Sequence, residues 1–295
     1  MPGVDLAASQ AYCRRVARRS RSNFYYAFLP LSREQRDAMC AVYAFARHAD
    51  DLSDDSGPGA ADGSGQALRA WRSAAEAALA GACDAHPILP ALHHAAGRFR
   101  IPSHYLWELI DGVASDLNSS RFETFDDLYR YCYQVASTVG LVCLHIFGFC
   151  SSEALPLGEK LGVAFQLTNI LRDLREDAAR GRVYLPEQDL ERFQVTRGDL
   201  EAGRVDRLRE LLRFQADRAE QHYQQAAPLL DLVHPRSRAS LWIMTAVYHR
   251  LLERVRASGY DVFSRRAGLS RPEKIGILLQ GLKLHWMGGT APFPA

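Results

Sequence analysis

The stretch FQLTNILRDLRED, residues 165–177, has the spacing of an amphipathic helix. Wound at about 100° per residue, it places Leu167, Leu171 and Leu174 on one apolar stripe. Its polar stripe consists of Gln166, Asn169, Asp173 and Asp177. The two aspartates lie one turn apart, so both carboxylates can reach the same cation. The stretch therefore predicts a helix that packs through leucines and presents carboxylates on another face.

A second stretch, AVYAFARHADDLSDD at residues 41–55, repeats this arrangement. As a helix it aligns Tyr43, Arg47, Asp50 and Asp54 on one stripe, again with aspartates one turn apart. Aspartates crowded at a helix C-terminus oppose the macrodipole, at a cost of about 0.3–1 kcal/mol each. A single D-x-x-x-D is usually solvated surface. Two copies, each ending the polar stripe of a helix, favour a shared function.

The shared function that this chemistry predicts is metal binding. Carboxylate oxygens suit hard cations, Mg²⁺ above all and Mn²⁺ as its substitute. Mg²⁺ held by a few carboxylates keeps positions for water and phosphate oxygens, so two facing aspartate pairs predict a bound diphosphate. Arg47, Arg172 and Arg175 lie beside the aspartates in the sequence, and we expect them to neutralise that anion.

Helical spacing dominates all 295 residues, and the alternation of a half-buried strand is rare. We predict an all-α protein forming one domain over residues 1–295, because 47% hydrophobic residues can bury a substantial core. The predicted helices cover about 5–20, 32–55, 65–80, 87–98, 103–117, 124–148, 153–178, 206–230, 235–257 and 270–286. Between helices, we expect a flexible connector at 56–65 and an ordered loop at 179–190, in which Pro186 closes off a helix.

Composition excludes several classes of protein. Lys+Arg at 36 against Asp+Glu at 34 gives no basic surplus for nucleic acid. The six cysteines include no C-x-x-C pair, which argues against a zinc site or a disulfide framework and predicts a cytoplasmic protein. No stretch has the length of a membrane span or the pattern of a secretory signal. We therefore expect only peripheral contact with lipid, at the inner face of the plasma membrane, through an apolar rim.

Five stretches, taken in order, resemble the squalene/phytoene synthase family, the head-to-head isoprenoid synthases, and most of all its bacterial hopanoid-pathway members. They are SNFYYAFLPL (22–31), AVYAFARHADDLSDD (41–55), YCYQVASTVG (131–140), FQLTNILRDLREDAARGRVYLP (165–186) and YDVFSRRAGLS (260–270). The resemblance implies the isoprenoid synthase fold, a single helical bundle around a central cavity. It also implies Mg²⁺ as cofactor and two prenyl diphosphates as substrates.

Individual roles follow from the same resemblance. The metal ligands would be Asp50, Asp54, Asp173 and Asp177. The residues around the diphosphates would be Arg47, Arg172, Gln166, Asn169, Tyr248 and Arg265. Tyr131 would stand near the reacting carbons, where the aromatic faces of Tyr43, Tyr131 and Phe24 stabilise a carbocation by roughly 0.5–2 kcal/mol each.

The chain departs from the family pattern at Ser20, where several relatives have a histidine. The diphosphate contact at this position is therefore either absent or provided by Arg21. Phe24 and Phe28 still fit the wall of an apolar tunnel. Arg182 and Tyr184, in the loop after the second aspartate helix, suit a lid over the charged end.

The favoured reaction is the joining of two farnesyl diphosphates to presqualene diphosphate, and onward to squalene if NADPH takes part. No glycine fingerprint for a nicotinamide is present, so the reductive step stays open. One alternative is a phytoene or dehydrosqualene synthase. Another is a non-catalytic scaffold, although such a protein would be expected to lose the aspartates. We expect small residues, Ala136, Gly140 and Ala164, to line the cavity, while its depth and the oligomeric state are left open.

Overall fold

The computed structural model describes residues 5–20, 23–54, 61–118, 121–287 and 293–294, and within them the side chains of 23, 24, 54, 61, 62, 118 and 284–287 are not described. The all-α prediction is confirmed: 77% of the structure is helical, and these residues contain no strand. A single isolated bridge joins Phe149 to Val233.

The described part of the chain folds into fifteen α-helices. They are α1 Leu6–Arg19, α2 Asn23–Ala27, α3 Arg33–Asp54, α4 Ala61–Leu79, α5 Leu89–Phe99, α6 Ser103–Ser115, α7 Phe125–Cys132, α8 Thr138–Phe147, α9 Ala154–Ala179, α10 Glu187–Arg192, α11 Arg197–Glu201, α12 Val205–Ala226, α13 Leu229–Leu232, α14 Pro235–Ala257 and α15 Arg271–Met287. A 3₁₀ turn, Asp116–Asn118, follows α6, and a π-helical turn, Tyr133–Ser137, joins α7 to α8.

Local sequence signals set several of these boundaries. Thr124 and Asp127 form a capping box at the start of α7, in which each side chain accepts the backbone N–H of the other residue. Thr196 and Asp199 repeat the capping box at α11. At the start of α14, Pro235 supplies a preset φ and needs no N–H partner.

Helix α9 lies at the centre of the fold and packs against α8, α12, α14 and the π-helical turn. The predicted apolar stripe is confirmed, because Leu167, Leu171 and Leu174 are all buried. Each leucine stabilises the fold by roughly 1.5–3 kcal/mol through burial. The helix that carries the second aspartate motif is therefore fixed by the core.

A glycine permits a close approach of backbone to backbone beside the cavity. A Cβ on Gly162 of α9 would lie 2.4 Å from the Cα of Ser137, in the π-helical turn. On the opposite side of that turn, a Cβ on Gly112 would lie 2.8 Å from the side chain of Gln134. The turn is thus held between α6 and α9, which positions Tyr131 at the end of α7.

Several sequence-based boundaries were wrong. The connector predicted at 56–65 gives way to α4 at Ala61, because Ser64, Leu68 and Trp71 pack into the core, and its residues 56–60 lie outside the described residues. Pro186 precedes α10 instead of ending a helix, since proline suits the start of a helix. The short helices α2, α10, α11 and α13 were not predicted because they are too brief for a periodic pattern.

No helix among the described residues has the length and hydropathy to cross a membrane.

Candidate active site

Helices α3, α6, α8, α9 and α14 surround a cavity of about 480 Å³. Its polar lining residues are Arg47, Asp50, Asp116, Gln166, Asn169 and Arg172. Most of the remaining wall is apolar and includes Phe28, Val135, Phe147, Leu161, Leu241 and Met244. Of the small residues predicted to line the cavity, Ala136 and Gly140 do so. Ala164 is fully buried and is not among the lining residues. The cavity therefore combines a charged portion with a larger apolar one.

The first aspartate helix contributes Tyr43, Arg47 and Asp50 to the cavity wall, as the helical stripe predicts. Arg47 forms an ion pair with Asp51, at 2.7 Å, and both side chains are about half exposed. Its guanidinium therefore lies at the edge of the cavity. Asp54 ends α3, and its side chain is outside the described residues.

The second aspartate helix presents a buried arginine–aspartate pair. Arg172 lines the cavity and donates hydrogen bonds to both carboxylate oxygens of Asp173, the one to Oδ1 at 2.8 Å. Arg266, from the loop before α15, donates to the same Oδ1 at 2.7 Å. Burial alone would raise the pKa of Asp173, but the bonds and charges of Arg172 and Arg266 outweigh it and hold that pKa below its usual value.

One turn further along α9, Asp177 has the opposite electrostatic environment. Burial and the negative charge of Asp173 raise its pKa to about 6, despite the nearby cations Arg182 and Arg180. Asp116 also contributes to this shift. Burial is therefore the main cause of the shift, and a bound cation would favour the ionised carboxylate.

Gln166 and Asn169 occupy the cavity wall one turn before the arginine. The amide of Asn169 donates to Oε1 of Gln166 at 3.3 Å, whereas Oδ1 of Asn169 is buried and has no hydrogen-bond partner among the described residues. An acceptor in that state is suited to a cation or a donor group on a ligand.

Tyr248 of α14 joins the two motifs. Burial raises its pKa to about 12, while the charge of Arg172 and a hydrogen bond from Asn169 act in the opposite direction. Tyr43 of α3 also acts electrostatically on Tyr248. The polar stripes of α3 and α9 therefore meet around one tyrosine, with the ring of Phe165 stacked on it at 4.4 Å.

Tyr131 and Tyr184 lie together beside the cavity. Both are buried, and their rings stack at 5.2 Å between centroids. Each hydroxyl donates a hydrogen bond to Asp116, Tyr131 to Oδ2 at 3.0 Å and Tyr184 to Oδ1 at 3.1 Å. Sequence reasoning missed Asp116, because it is a lone aspartate after α6 with no motif around it. Its partners lie 15 and 68 residues away, so no local signal reveals it.

Of the remaining predicted site residues, some are described in the structure and others are not. Arg21 lies outside the described residues, as does the side chain of Phe24, while Phe28 is buried in the cavity wall. Arg265 is exposed. Its neighbour Arg266, which the sequence analysis did not identify, binds Asp173 together with Arg172. Arg175 lies on the outer face of α9 and donates to the carbonyl oxygen of Phe263 at 2.8 Å.

The donor set around the cavity fits Mg²⁺. Asp50 and the unpartnered carbonyl of Asn169 line the cavity and offer oxygen atoms, and Asp173 and Asp177 offer further oxygen atoms on the helix that carries Asn169 and Arg172. A different acidic group, Glu220, His249 and Glu253 on α12 and α14, also brings its ligand atoms within 4.8 Å of one another. Arg256 already neutralises that group, with ion pairs to Glu220 and Glu253. The lining of the cavity includes Asp50 of α3 and Arg172 of α9 but none of the three residues of that acidic group, so the aspartates of α3 and α9 are the better metal candidates.

Comparison with known proteins agrees with this geometry. The sequence profile described as squalene/phytoene synthase matches residues 17–273. The chain is 37% identical over 276 residues to phytoene synthase from Arthrospira platensis, in an alignment that covers 88% of this chain and 87% of that protein.

Two solved structures are similar over most of the chain. A dehydrosqualene synthase in complex with ligand superimposes with a TM-score of 0.85 at 29% identity, covering 96% of this chain and 98% of that one. The squalene synthase HpnC from Alicyclobacillus acidocaldarius superimposes with a TM-score of 0.79 at 31% identity, covering 87% and 96% respectively.

Proposed function

The chain belongs to the squalene/phytoene synthase family of prenyltransferases, and we propose that it joins two farnesyl diphosphates head to head into presqualene diphosphate. The observation that carries this proposal is one cavity whose charged portion is formed by both aspartate helices. Its larger portion is apolar, as prenyl chains require. A surface metal site would lack such a hollow.

The charged residues bind and orient the diphosphates. Arg172 lines the cavity and presents a planar guanidinium that suits phosphate oxygens, and Arg47 does the same from α3. Gln166 and Asn169 add amide groups that fix the orientation of a bound diphosphate. Both arginines stabilise the negative charge that grows on the leaving group as the C1–O bond breaks.

Asp50, Asp54, Asp173 and Asp177 would hold Mg²⁺, or Mn²⁺ in its place. The bound ion supplies further neutralisation of the leaving diphosphate.

The apolar wall holds the prenyl chains and excludes water from the allylic cation. Tyr43 and Tyr131 line the cavity, and their ring faces stabilise a cation by roughly 0.5–2 kcal/mol each. The double bond of the second substrate then attacks C1 of the first. Loss of a proton to the released diphosphate closes the cyclopropane ring. Phe28 and the small residues Ala136 and Gly140 shape the space for the chains.

A second candidate, the joining of two geranylgeranyl diphosphates to phytoene, is favoured by the name of the relative from Arthrospira platensis. The two similar structures bear the names of squalene and dehydrosqualene synthases instead, which favours C15 substrates. Onward reduction to squalene would need NADPH as an additional co-substrate. A non-catalytic scaffold is disfavoured because the chain retains both aspartate pairs, and Asp50 lines the cavity.

Product analysis tests these alternatives. The purified protein is incubated with Mg²⁺ and farnesyl or geranylgeranyl diphosphate, each with and without NADPH, and the lipids are identified by mass spectrometry. We expect presqualene diphosphate from farnesyl diphosphate, and no product when EDTA removes the metal. Phytoene from geranylgeranyl diphosphate alone would replace the main proposal by the second candidate. No turnover of either substrate would favour the scaffold.

We also propose peripheral contact with a membrane, because the product is apolar. Helix α15 exposes Ile275 and Leu279, one turn apart, with 51% and 60% of their surfaces accessible. Lys274 and Lys283 lie on the same helix and suit anionic headgroups. In this proposal the protein is cytoplasmic, and it contacts the inner face of the plasma membrane.

Flotation with vesicles tests this contact. We expect binding to vesicles that contain anionic lipid, and loss of binding in Ile275→Ser/Leu279→Ser. Gln280→Ala, at an exposed polar site on the same helix, is the matched control. Absence of flotation by the unmodified protein would remove the proposal.

A further inference from the structure

Asp116 connects three separate parts of the candidate active site. It is the first residue of the 3₁₀ turn after α6 and lines the cavity. Its carboxylate accepts one hydrogen bond from Tyr131, at the end of α7, and one from Tyr184, in the loop after α9. One side chain therefore fixes the relative positions of the turn, α7 and the loop.

The two tyrosines reach Asp116 as hydrogen-bond donors. Burial, together with the charge of Asp116, raises the pKa of both phenols, so each keeps its proton near neutral pH. The ring of Phe122 packs against both, at centroid distances of 5.3 Å from Tyr131 and 6.1 Å from Tyr184. Packing and hydrogen bonds thus restrict the two phenols to one arrangement.

The partners of this carboxylate differ from those of the predicted metal ligand Asp173, which accepts its hydrogen bonds from arginines. Each oxygen of Asp116 already accepts a bond from a phenol. Its geometry suits the orientation of neighbouring groups.

We infer that Asp116 is a positioning residue, which holds Tyr131 against the reacting carbons and Tyr184 against the cavity so that the allylic cation is captured by the second prenyl chain and not by water. This inference rests on the proposed coupling reaction. In the competing reaction the C1–O bond breaks as before, water adds to the cation, a proton is lost to diphosphate, and the product is a prenyl alcohol. The ratio of coupled product to prenyl alcohol therefore reports on Asp116.

The central test is Asp116→Asn, which keeps the shape of the side chain. An amide replaces one acceptor oxygen by a donor, so one of the two phenol bonds is lost. Because the phenol that loses its bond is no longer held in place, we expect the ratio of coupled product to alcohol to fall by about 10-fold or more. Release of diphosphate should fall less than formation of the coupled product, since Asp116→Asn leaves Arg47 and Arg172 in place.

Two further variants keep this test decisive. Tyr184→Phe removes one donor and leaves the charge, so we expect a smaller fall in the same ratio. Asp111→Asn, on α6, is the matched control, because Asp111 is half exposed and pairs at the surface with Arg72. This control should leave the ratio unchanged.

Three results would overturn the inference. The first is an unchanged product ratio in Asp116→Asn. The second is an equal fall in coupled product and diphosphate release together with a lower Tm, which would show a structural role only. The third is a tenfold rise in the Mg²⁺ concentration needed for half-maximal activity, which would make Asp116 a metal ligand. Absence of any coupled product from the unmodified enzyme would instead reject the proposed function.

Discussion

The two aspartate motifs have the same spacing but different surroundings. At the end of α3, Arg47 pairs with Asp51, an aspartate outside the predicted metal set, and both side chains are 48% exposed. On α9, Arg172 pairs with Asp173, a predicted metal ligand, and these side chains are only 15% and 20% exposed. The spacing of residues in the sequence shows which side chains share a helix face. Tertiary packing determines which cation lies next to each carboxylate.

This difference implies unequal contributions to metal binding. The helix that carries the α9 aspartates is fixed by the core, and two arginines hold Asp173 before any metal arrives. On α3, Asp50 lines the cavity near the end of the helix. We therefore expect the α9 motif to set the geometry of the site, and the α3 motif to complete it.

The largest expected effect comes from a comparison of substitutions at two neighbouring aspartates on α3. Asp50 lines the cavity, while Asp51 pairs with Arg47. Asp50→Asn removes a negatively charged ligand of the cation that neutralises the leaving diphosphate. We therefore expect kcat to fall by about 100-fold or more. Asp51→Asn is the matched control and should change kcat by less than about 5-fold, since an exposed pair contributes little. Equal losses of kcat in the two variants would show that position on the helix face does not determine which aspartate belongs to the active site.

The next effect concerns the position of the α9 motif. Gly162→Ala would bring a Cβ to 2.4 Å from the Cα of Ser137, a backbone atom that cannot rotate away. We expect this overpacking to lower the free energy of unfolding by about 1–3 kcal/mol. Gly97→Ala is the control, because Gly97 lies in α5 with no atom within 4 Å of the added Cβ. It should stabilise the protein by about 0.5–1 kcal/mol. Denaturant titration measures both, and a neutral Gly162→Ala would contradict the close packing of α9.

A smaller effect distinguishes Asp177 from Asp173. Because the pKa of Asp177 is raised to about 6 from a usual 3.8, the folded state binds its proton more readily than the unfolded state. Without metal, ionised Asp177 therefore destabilises the fold above pH 6, and this cost disappears as the pH falls towards 4. After allowance for solvent screening, we expect Asp177→Asn in EDTA to stabilise the protein by about 1 kcal/mol at pH 7.

The same variant provides its own control. Its advantage should shrink as the pH falls and vanish below about pH 4, where Asp177 is protonated in both the folded and the unfolded state. Thermal unfolding across this range measures the difference. An advantage that grows as the pH falls would contradict the direction of the shift.

The smallest effect concerns the arginine that the sequence did not identify. Arg266 binds Asp173 while half exposed, so metal must compete with it there. We expect Arg266→Gln to lower the Mg²⁺ concentration for half-maximal activity by about 2- to 5-fold, in line with a pair worth about 0.5–1 kcal/mol. Arg265→Gln should leave the Mg²⁺ requirement unchanged and raise KM if Arg265 contacts diphosphate. A higher Mg²⁺ requirement in Arg266→Gln would contradict the competition.

Periodic patterns identified the long helices and the two aspartate stripes. Leu167, Leu171 and Leu174 repeat over whole turns, so their face could be predicted without tertiary information. The same holds for Tyr43, Arg47 and Asp50, which line the cavity together. The single-domain organisation and the roles of the individual site residues stay predictions.

Contacts between distant segments were not accessible from the sequence. Asp116 meets Tyr184 across 68 residues, and Arg266 meets Asp173 across 93 residues. Neither contact has a local pattern, because each depends on how α9 and its loop fold back on the bundle. The start of α4 was missed for a similar reason, since burial of Leu68 and Trp71 outweighs the glycines around them.

The central claim is that α3 and α9 hold one divalent cation and one diphosphate between them. Crystals grown with Mn²⁺ and a farnesyl thiodiphosphate would locate the metal by anomalous scattering. The account predicts metal within about 2.0–2.6 Å of carboxylate oxygens from both Asp50 and the Asp173–Asp177 pair, with thiodiphosphate oxygens completing the shell. Metal bound by one helix alone, or at Glu220, His249 and Glu253, would contradict it.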